Sequence, residues 1–349
     1  MNTVVSKKIW TNHTNDVRGI QGVKRSCFMG SIICSLAYIP CFSQTLLTHQ
    51  AFQFISEPEN MPLSLLVQIK QYFGLLLQNT VTSSKNPFQS RVMNKKYCIR
   101  TDYLYENKVL IMGFEDELYD AIDFLIKLFD KICEESRTFK LLIKSVFGFN
   151  WDYNAYCING HHTSSVLHLQ DNISFDYNII RIPVDNNNAN SSRCMRELIK
   201  NHFGRRKYYH GRNEDCLKCP HDNRNTVDQY ENKIHSYPEV MVVQFSAYPF
   251  QSYHIALELK LALIVEVSSE IYQLCSFISF SPGHYMCYVR GTDTSWYNIN
   301  DDVVTKIATK DILKLKEVYV CFYQKTTTPF SDAQISNLRE IQGCSKMGK

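Results

Sequence analysis

The apolar residues change period near residue 138, and that switch limits the folds open to the chain. Before it, hydrophobic positions recur three or four apart. Phe28, Ile32 and Leu36 predict a helix opening at Ser26, a residue type suited to the N-cap. Residues 61–78 and 115–133 predict two further amphipathic helices. In the second, Leu118, Ala121, Ile122, Leu125, Leu128 and Phe129 share one face. Beyond the switch, residues 140–147, 177–184, 238–246, 255–266, 274–280, 284–290, 296–300 and 316–324 are rich in β-branched and aromatic side chains, and they predict strands. The polar run Asp185 to Ser192 predicts a solvent loop. Helices first and strands after imply an α+β fold, not alternating α/β units.

At 349 residues the chain can bury a large core. A net charge of +4, with Arg205, Arg206 and Lys207 as the one short basic run near the later cysteines, gives no footprint for nucleic acid. The 13 cysteines are odd in number and sit mostly in apolar runs, unlike the framework of a small secreted domain. They predict a reducing compartment, with most thiols acting as small buried hydrophobes. The apolar stretch from Cys27 to Phe42 follows Lys24 and Arg25 and mimics a signal anchor. It is shorter than the roughly 20 residues of a membrane span and carries Pro40 near its end. A soluble protein of the cytoplasm or nucleus, with no membrane role, is expected.

Cys27 falls in the first turn of the first helix, where converging amide dipoles lower a thiol pKa and enrich the thiolate. A lone cysteine there is ordinarily a buried structural thiol. Its surroundings change the balance. Gly19-Ile20-Gln21-Gly22-Val23-Lys24-Arg25-Ser26-Cys27-Phe28-Met29-Gly30-Ser31 resembles the cysteine box of the ubiquitin-specific proteases, a glycine-rich loop leading into Thr/Ser-Cys-Tyr/Phe-Met-Asn-Ser and a helix. The Gly-Ile-Gln-Gly opening and the Ser-Cys step resemble the cylindromatosis-type branch of that family more closely still.

A second box lies far downstream. Pro282-Gly283-His284-Tyr285-Met286-Cys287-Tyr288-Val289-Arg290 is similar to the family's Gly-His-Tyr-x-x-Tyr-Val-Arg strand, and Trp296-Tyr297-Asn298-Ile299-Asn300-Asp301 to its Trp-Tyr-x-Phe-(Asn/Asp)-Asp segment. A turn between Gly291 and Ser295 makes the two strands a hairpin with Asn300 opposite Met286. Asn300 is then a diagonal, same-face neighbour of His284. Nucleophilic catalysis needs such a set: a thiol, an imidazole to take and return its proton, and a third group to fix the ring tautomer. Asn300 is the first candidate for that third role, and Asp301 the alternative if the register slips by one.

Two further elements resemble the family. Tyr119-Asp120-Ala121-Ile122-Asp123-Phe124-Leu125 is similar to its Gln-Asp-Ala-x-Glu-Phe-Leu helix, whose acidic residues face the basic tail of ubiquitin. The bland reading of Asp120 and Asp123 is a solvated acidic face. Tyr209-His210-Gly211-Arg212-Asn213-Glu214-Asp215-Cys216-Leu217-Lys218-Cys219 resembles the family's fingers, with Cys157 and His161 or His162 as the upstream half-site. Gly160 stands where the family usually has a second upstream cysteine, so the resemblance implies a structural Cys3His zinc site of Cys157, His161, Cys216 and Cys219, or fingers that have lost their metal. Gly22 replaces the asparagine that usually donates to the oxyanion, which leaves that task to backbone amides such as that of Cys27, and to Gln21.

The resemblance spans residues 18–325, with a lead-in at 1–17 and a polar tail at 326–349. It implies a papain-like cysteine protease fold with a thumb at about 18–138, fingers at about 139–237 and a palm at about 238–325. The implied activity is hydrolysis after the C-terminal glycine of ubiquitin or polyubiquitin. A narrow cleft at Gly283 and Tyr285 would select the Gly-Gly tail. The competing expectations are a ubiquitin-binding scaffold of weak activity and a protease for a ubiquitin-like modifier.

Overall fold

The computed structural model describes residues 17–21, 26–48, 65–77, 99–100, 111–112, 120–148, 150–156, 174–185, 194–203, 206–207, 229–248, 259–281, 283–291 and 293–326. Five helices form one lobe: α1 (Cys27–Ala37), α2 (Pro40–Thr48), α3 (Leu65–Leu76), α4 (Ala121–Glu135) and α5 (Arg137–Phe147). α1 is apolar all round and is the buried axis of the lobe: Phe28, Met29, Ile32, Ile33, Leu36 and Ala37 have no exposed surface. It packs on α3 and α4 and, on its other side, on the sheet.

α5 corrects the sequence analysis, which expected a strand over residues 140–147. Phe139, Leu142, Ile143, Val146 and Phe147 are buried on one helical stripe. A short apolar run does not tell strand from helix; the cap does. Ser136 ends α4 and its hydroxyl accepts from the Phe139 N–H at 3.2 Å, which starts α5. The joint brings Phe42, Phe129, Phe139, Phe147 and Phe175 into one cluster of edge-to-face and tilted rings, with Phe129 and Phe175 centroids 4.7 Å apart.

The main sheet runs in the order β12-β11-β10-β9-β13-β7-β4: β12 (Val303–Ile307), β11 (Trp296–Asn300), β10 (His284–Arg290), β9 (Glu270–Ser281), β13 (Val320–Lys325), β7 (Val240–Tyr248) and β4 (Ile179–Asp185). β8 (Ile264–Val267) adds beside β9. Only β4 and β7 pair in parallel among these strands. Alternate residues serve two cores. Ile278, Tyr285, Cys287, Val289 and Phe322 face the helical lobe, while Phe277, Tyr288, Trp296, Cys321 and Tyr323 face a second cluster that includes α6 (Met195–His202). A short helix, α7 (Thr309–Ile312), precedes β13.

A separate antiparallel sheet joins β3 (Asn150–Tyr156), β6 (Gln229–Ser236) and β5 (Arg206–Lys207). The sequence analysis missed β3 and β6, whose polar residues hide the alternation. A two-residue parallel pair, β1 (Ile20–Gln21) with β2 (Ile99–Arg100), completes the described strands. Among the described residues no single helix is long and apolar enough to cross a membrane; α1 and α2 pass only together and bend by 84°. Among the described residues seven cysteines are free thiols and Cys194 is disulfide-bonded.

Candidate active site

Cys27 is the first residue of α1 and is buried, 8% exposed. Ser26 occupies the N-cap position as expected, but its side chain makes no cap hydrogen bond. Its carbonyl accepts instead from Met29 and Gly30 at 3.0 and 3.1 Å. Burial pushes the Cys27 thiol above its ordinary pKa; the amides of Tyr285, Phe28 and Cys27 itself pull it down, and the charge of Asp301 raises it further. The lowered pKa expected of a helix start is thus overturned. Loss of hydration outweighs the converging amides.

His284 opens β10, just after Gly283, whose φ of 85° lies in the left-handed region that suits glycine. β10 and β11 pair with Cys287 opposite Ile299, so the next pair sets Asn300 against Met286. The expected register holds, and Asn300 Oδ1 lies 2.6 Å from His284 Nε2. With the amide oxygen accepting, Nε2 carries the hydrogen and Nδ1 is left to take a proton. Asp301, the alternative, follows β11 in a turn with φ of 53°. Burial raises its carboxyl pKa, the charge of His284 lowers it and that of Asp302 raises it.

Of the amides that lower the Cys27 thiol, that of Tyr285 on β10, one residue beyond His284, has the largest effect. Among the described residues no hydrogen bond joins the Cys27 thiol to the His284 ring. Hydrogen bonds of this kind are often long before substrate arrives and tighten in the complex.

Asp120 does not lie on a helical face with Asp123. It is the N-cap of α4, and its Oδ1 accepts from the Ile122 and Asp123 amides at 2.7 and 3.3 Å. Its Oδ2 accepts from the Tyr319 hydroxyl, which in turn accepts from Gln244 Nε2 at 2.7 Å. Asp123 remains exposed. Tyr285 is buried between Phe280 and Tyr319, with centroids 4.6 and 5.9 Å away, and burial raises its hydroxyl pKa. Tyr319 and Gln244 therefore tie the sheet to the start of α4. Sequence reasoning took both as ordinary strand residues. Gly22, Cys157, His161, Cys216 and Cys219 lie outside the described residues.

The sequence profile of the family described as ubiquitin carboxyl-terminal hydrolase matches residues 18–323, nearly the whole chain. The chain belongs to that family. Comparison with curated protein sequences finds no match. Among solved structures, this hydrolase chain is similar to the SAGA DUB module of Ubp8, Sgf11, Sus1 and Sgf73 bound to monoubiquitin, with a TM-score of 0.63 at 16% identity over 90% of this chain and 70% of the other. The same module bound to ubiquitin aldehyde gives 0.63 at 16% identity, over 91% and 71% of the two chains. A yeast SAGA DUB module carrying an Sgf73 variant gives 0.63 at 14%, over 91% and 70%. At such identity the likeness shows the fold, and the hydrolase is papain-like. The names thumb, palm and fingers are used below for the helical lobe, the main sheet and the three-stranded sheet.

Proposed function

We propose that the chain is a thiol-dependent deubiquitinase with Cys27 as nucleophile, His284 as base and acid, and Asn300 as the group that holds the ring. Membership of the hydrolase family supplies the reaction class, and neighbours bound to monoubiquitin and ubiquitin aldehyde support ubiquitin as the partner. The observation that carries the residue roles is the Asn300–His284 hydrogen bond at the start of β10, the strand on which the Cys27 helix packs.

Burial keeps the resting thiol protonated, so its proton passes to His284 Nδ1 as attack begins. A C–S bond forms at the carbonyl carbon of the ubiquitin C-terminal glycine, and the oxygen takes the negative charge. Backbone amides near Cys27 stabilise that charge. The C–N bond then breaks as Nδ1–H protonates the leaving amine. Water, deprotonated by the same nitrogen, cleaves the thioester and releases the ubiquitin carboxylate. Gly22 and Gly283 would leave room for a tail without side chains, Tyr285 would wall it, and Asp120 and Asp123 would bias the cleft mouth toward a basic peptide.

A structural zinc ion in the fingers belongs to the same proposal. Tyr156, Gln229 and Lys207 are paired neighbours at one end of the three-stranded sheet. Cys157 follows the first, and the connection holding Cys216 and Cys219 joins the other two, so both half-sites leave the sheet at one end. Three thiolates and the imidazole of His161 suit tetrahedral zinc, which would brace the fingers with four protein ligands and take no part in the chemistry. The Gly19-Ile20-Gln21-Gly22 opening supports a place in the cylindromatosis-type branch. The free thiols among the described residues, Cys194 aside, support a reducing site of action in the cytoplasm or nucleus.

Cleavage of a panel of di-ubiquitins tests the assignment. Wild type is expected to release monoubiquitin and Cys27→Ala to release none. Equal cleavage by both, or by neither, removes Cys27 from the role. Parallel substrates built on ubiquitin-like modifiers show whether ubiquitin itself is the preferred partner.

A further inference from the structure

Asn300 is held from the opposite end of the sequence. The Ile20 N–H donates to the carbonyl of Asp301 at 3.0 Å, on the residue next to Asn300. Gly19 packs backbone to backbone on the same turn. A Cβ at Gly19 would run into the Asp301 carbonyl oxygen and lie 3.1 Å from Asp302 Cα, so no side chain fits there without moving the turn. The turn needs holding, because Asp301 sits at φ 53°, a region that non-glycine residues rarely adopt.

The strap is fixed at its other side too. The Arg18 N–H donates to the Tyr38 hydroxyl at 3.1 Å, and that hydroxyl donates to the Leu76 carbonyl at 3.3 Å. Ile20 is 1% exposed and belongs to the thumb core, and β1 pairs with β2. Residues 17–21 thus link the C-terminal ends of α1 and α3 to the β11–β12 turn, and the same chain reaches Cys27 six residues later.

We infer that Gly19 and Ile20 are positioning residues for the hydrolysis: they clamp the Asn300–Asp302 turn so that Asn300 presents its amide oxygen to His284. The inference rests on the roles proposed for His284 and Asn300. It goes beyond them by making the first turn of the cysteine box a support for the last member of the triad, not for the cysteine alone. A displaced Asn300 frees the ring to rotate, and a misplacement of about 1 Å can cost on the order of 100-fold in rate.

The test is a double-mutant cycle on a fluorogenic ubiquitin amide, read alongside the imidazole N–H resonances of His284. Gly19→Ala is expected to lower kcat by about 10- to 100-fold with KM kept, and to broaden or lose the Nε2–H resonance. In an Asn300→Ala background it is expected to cost little more, since the group it positions is already gone. Ile20→Ala, which loosens the strap without a clash, should follow the same pattern at smaller size and serves if Gly19→Ala does not fold. A full, additive loss from both strap variants in the Asn300→Ala background overturns the inference and leaves the triad standing. Unchanged turnover in Asn300→Ala and His284→Ala overturns the triad instead.

Discussion

The palm, antiparallel but for its β4–β7 pair, and the fully antiparallel fingers are held by different physics. Palm strands carry apolar residues on both faces: β7 reads Val240-Met241-Val242-Val243, and Val242 packs on the thumb core while Val243 packs on the second one. Finger strands read Asn150-Trp151-Asp152-Tyr153-Asn154-Ala155-Tyr156 and Gln229-Tyr230-Glu231-Asn232-Lys233-Ile234, sequences in which polar and charged residues interrupt every apolar run. Burial fixes the register of the first sheet, since a slip of one residue would turn every side chain the wrong way. The second sheet has backbone pairing and, on the proposal above, a metal at its far end. The site follows this division: Cys27, His284, Asn300 and Tyr319 all stand on elements that the two palm-facing cores lock in place.

The contrast is broken most forcefully from inside the palm. Phe277 stacks on Tyr288 at 4.6 Å and also packs on Trp296. Phe277→Ala should cost about 3–5 kcal/mol and melt the whole domain in one step, seen as a fall in Tm with loss of all turnover. From the fingers, a strong chelator or Cys219→Ser should raise KM for ubiquitin while kcat and the palm's melting transition stay in place. Metal analysis should then show about one zinc per wild-type chain and none in the variant. If kcat collapses as far as it does in Phe277→Ala, the two sheets are not energetically separate.

Smaller changes sharpen the comparison. Tyr319→Phe removes the hydroxyl shared by Asp120 and Gln244 and should cost about 1–2 kcal/mol, with a rise in KM if Asp120 faces the ubiquitin tail. The smallest effect lies in the β10–β11 turn. Burial raises the Asp293 carboxyl, but hydrogen bonds from Lys306, Ser295 and Tyr297 outweigh it and bring the pKa down to about 2. A depressed carboxyl stabilises the fold above its unfolded pKa, and that stability is lost as pH falls from about 4 through 2. Asp293→Asn should therefore lower stability by about 1 kcal/mol at neutral pH and flatten the acid limb of a denaturation series.

Much of this was legible before any coordinates. Residues 284–290 and 296–300 are strands at the very bounds that their alternation predicts, because a turn at Gly291 to Ser295 closes them and both faces meet a core. From that register alone Asn300 falls beside His284. Residues 140–147 misled because an apolar run of that length suits either period, and the deciding cap at Ser136 lies upstream of it. The Asp120–Tyr319 contact joins residues 199 apart, with nothing local to announce it. The Cys27 thiol moved the other way from its expected shift because burial is a property of the packed lobe, not of the helix start.

The account turns on one thiol answering to one imidazole. Labelling with a ubiquitin bearing a C-terminal electrophile, followed by peptide mass analysis, reads that directly. A single ubiquitin adduct is predicted on Cys27, absent in Cys27→Ala and strongly slowed in His284→Ala. An adduct on another of the cysteines, or labelling at the wild-type rate without the imidazole, would contradict it.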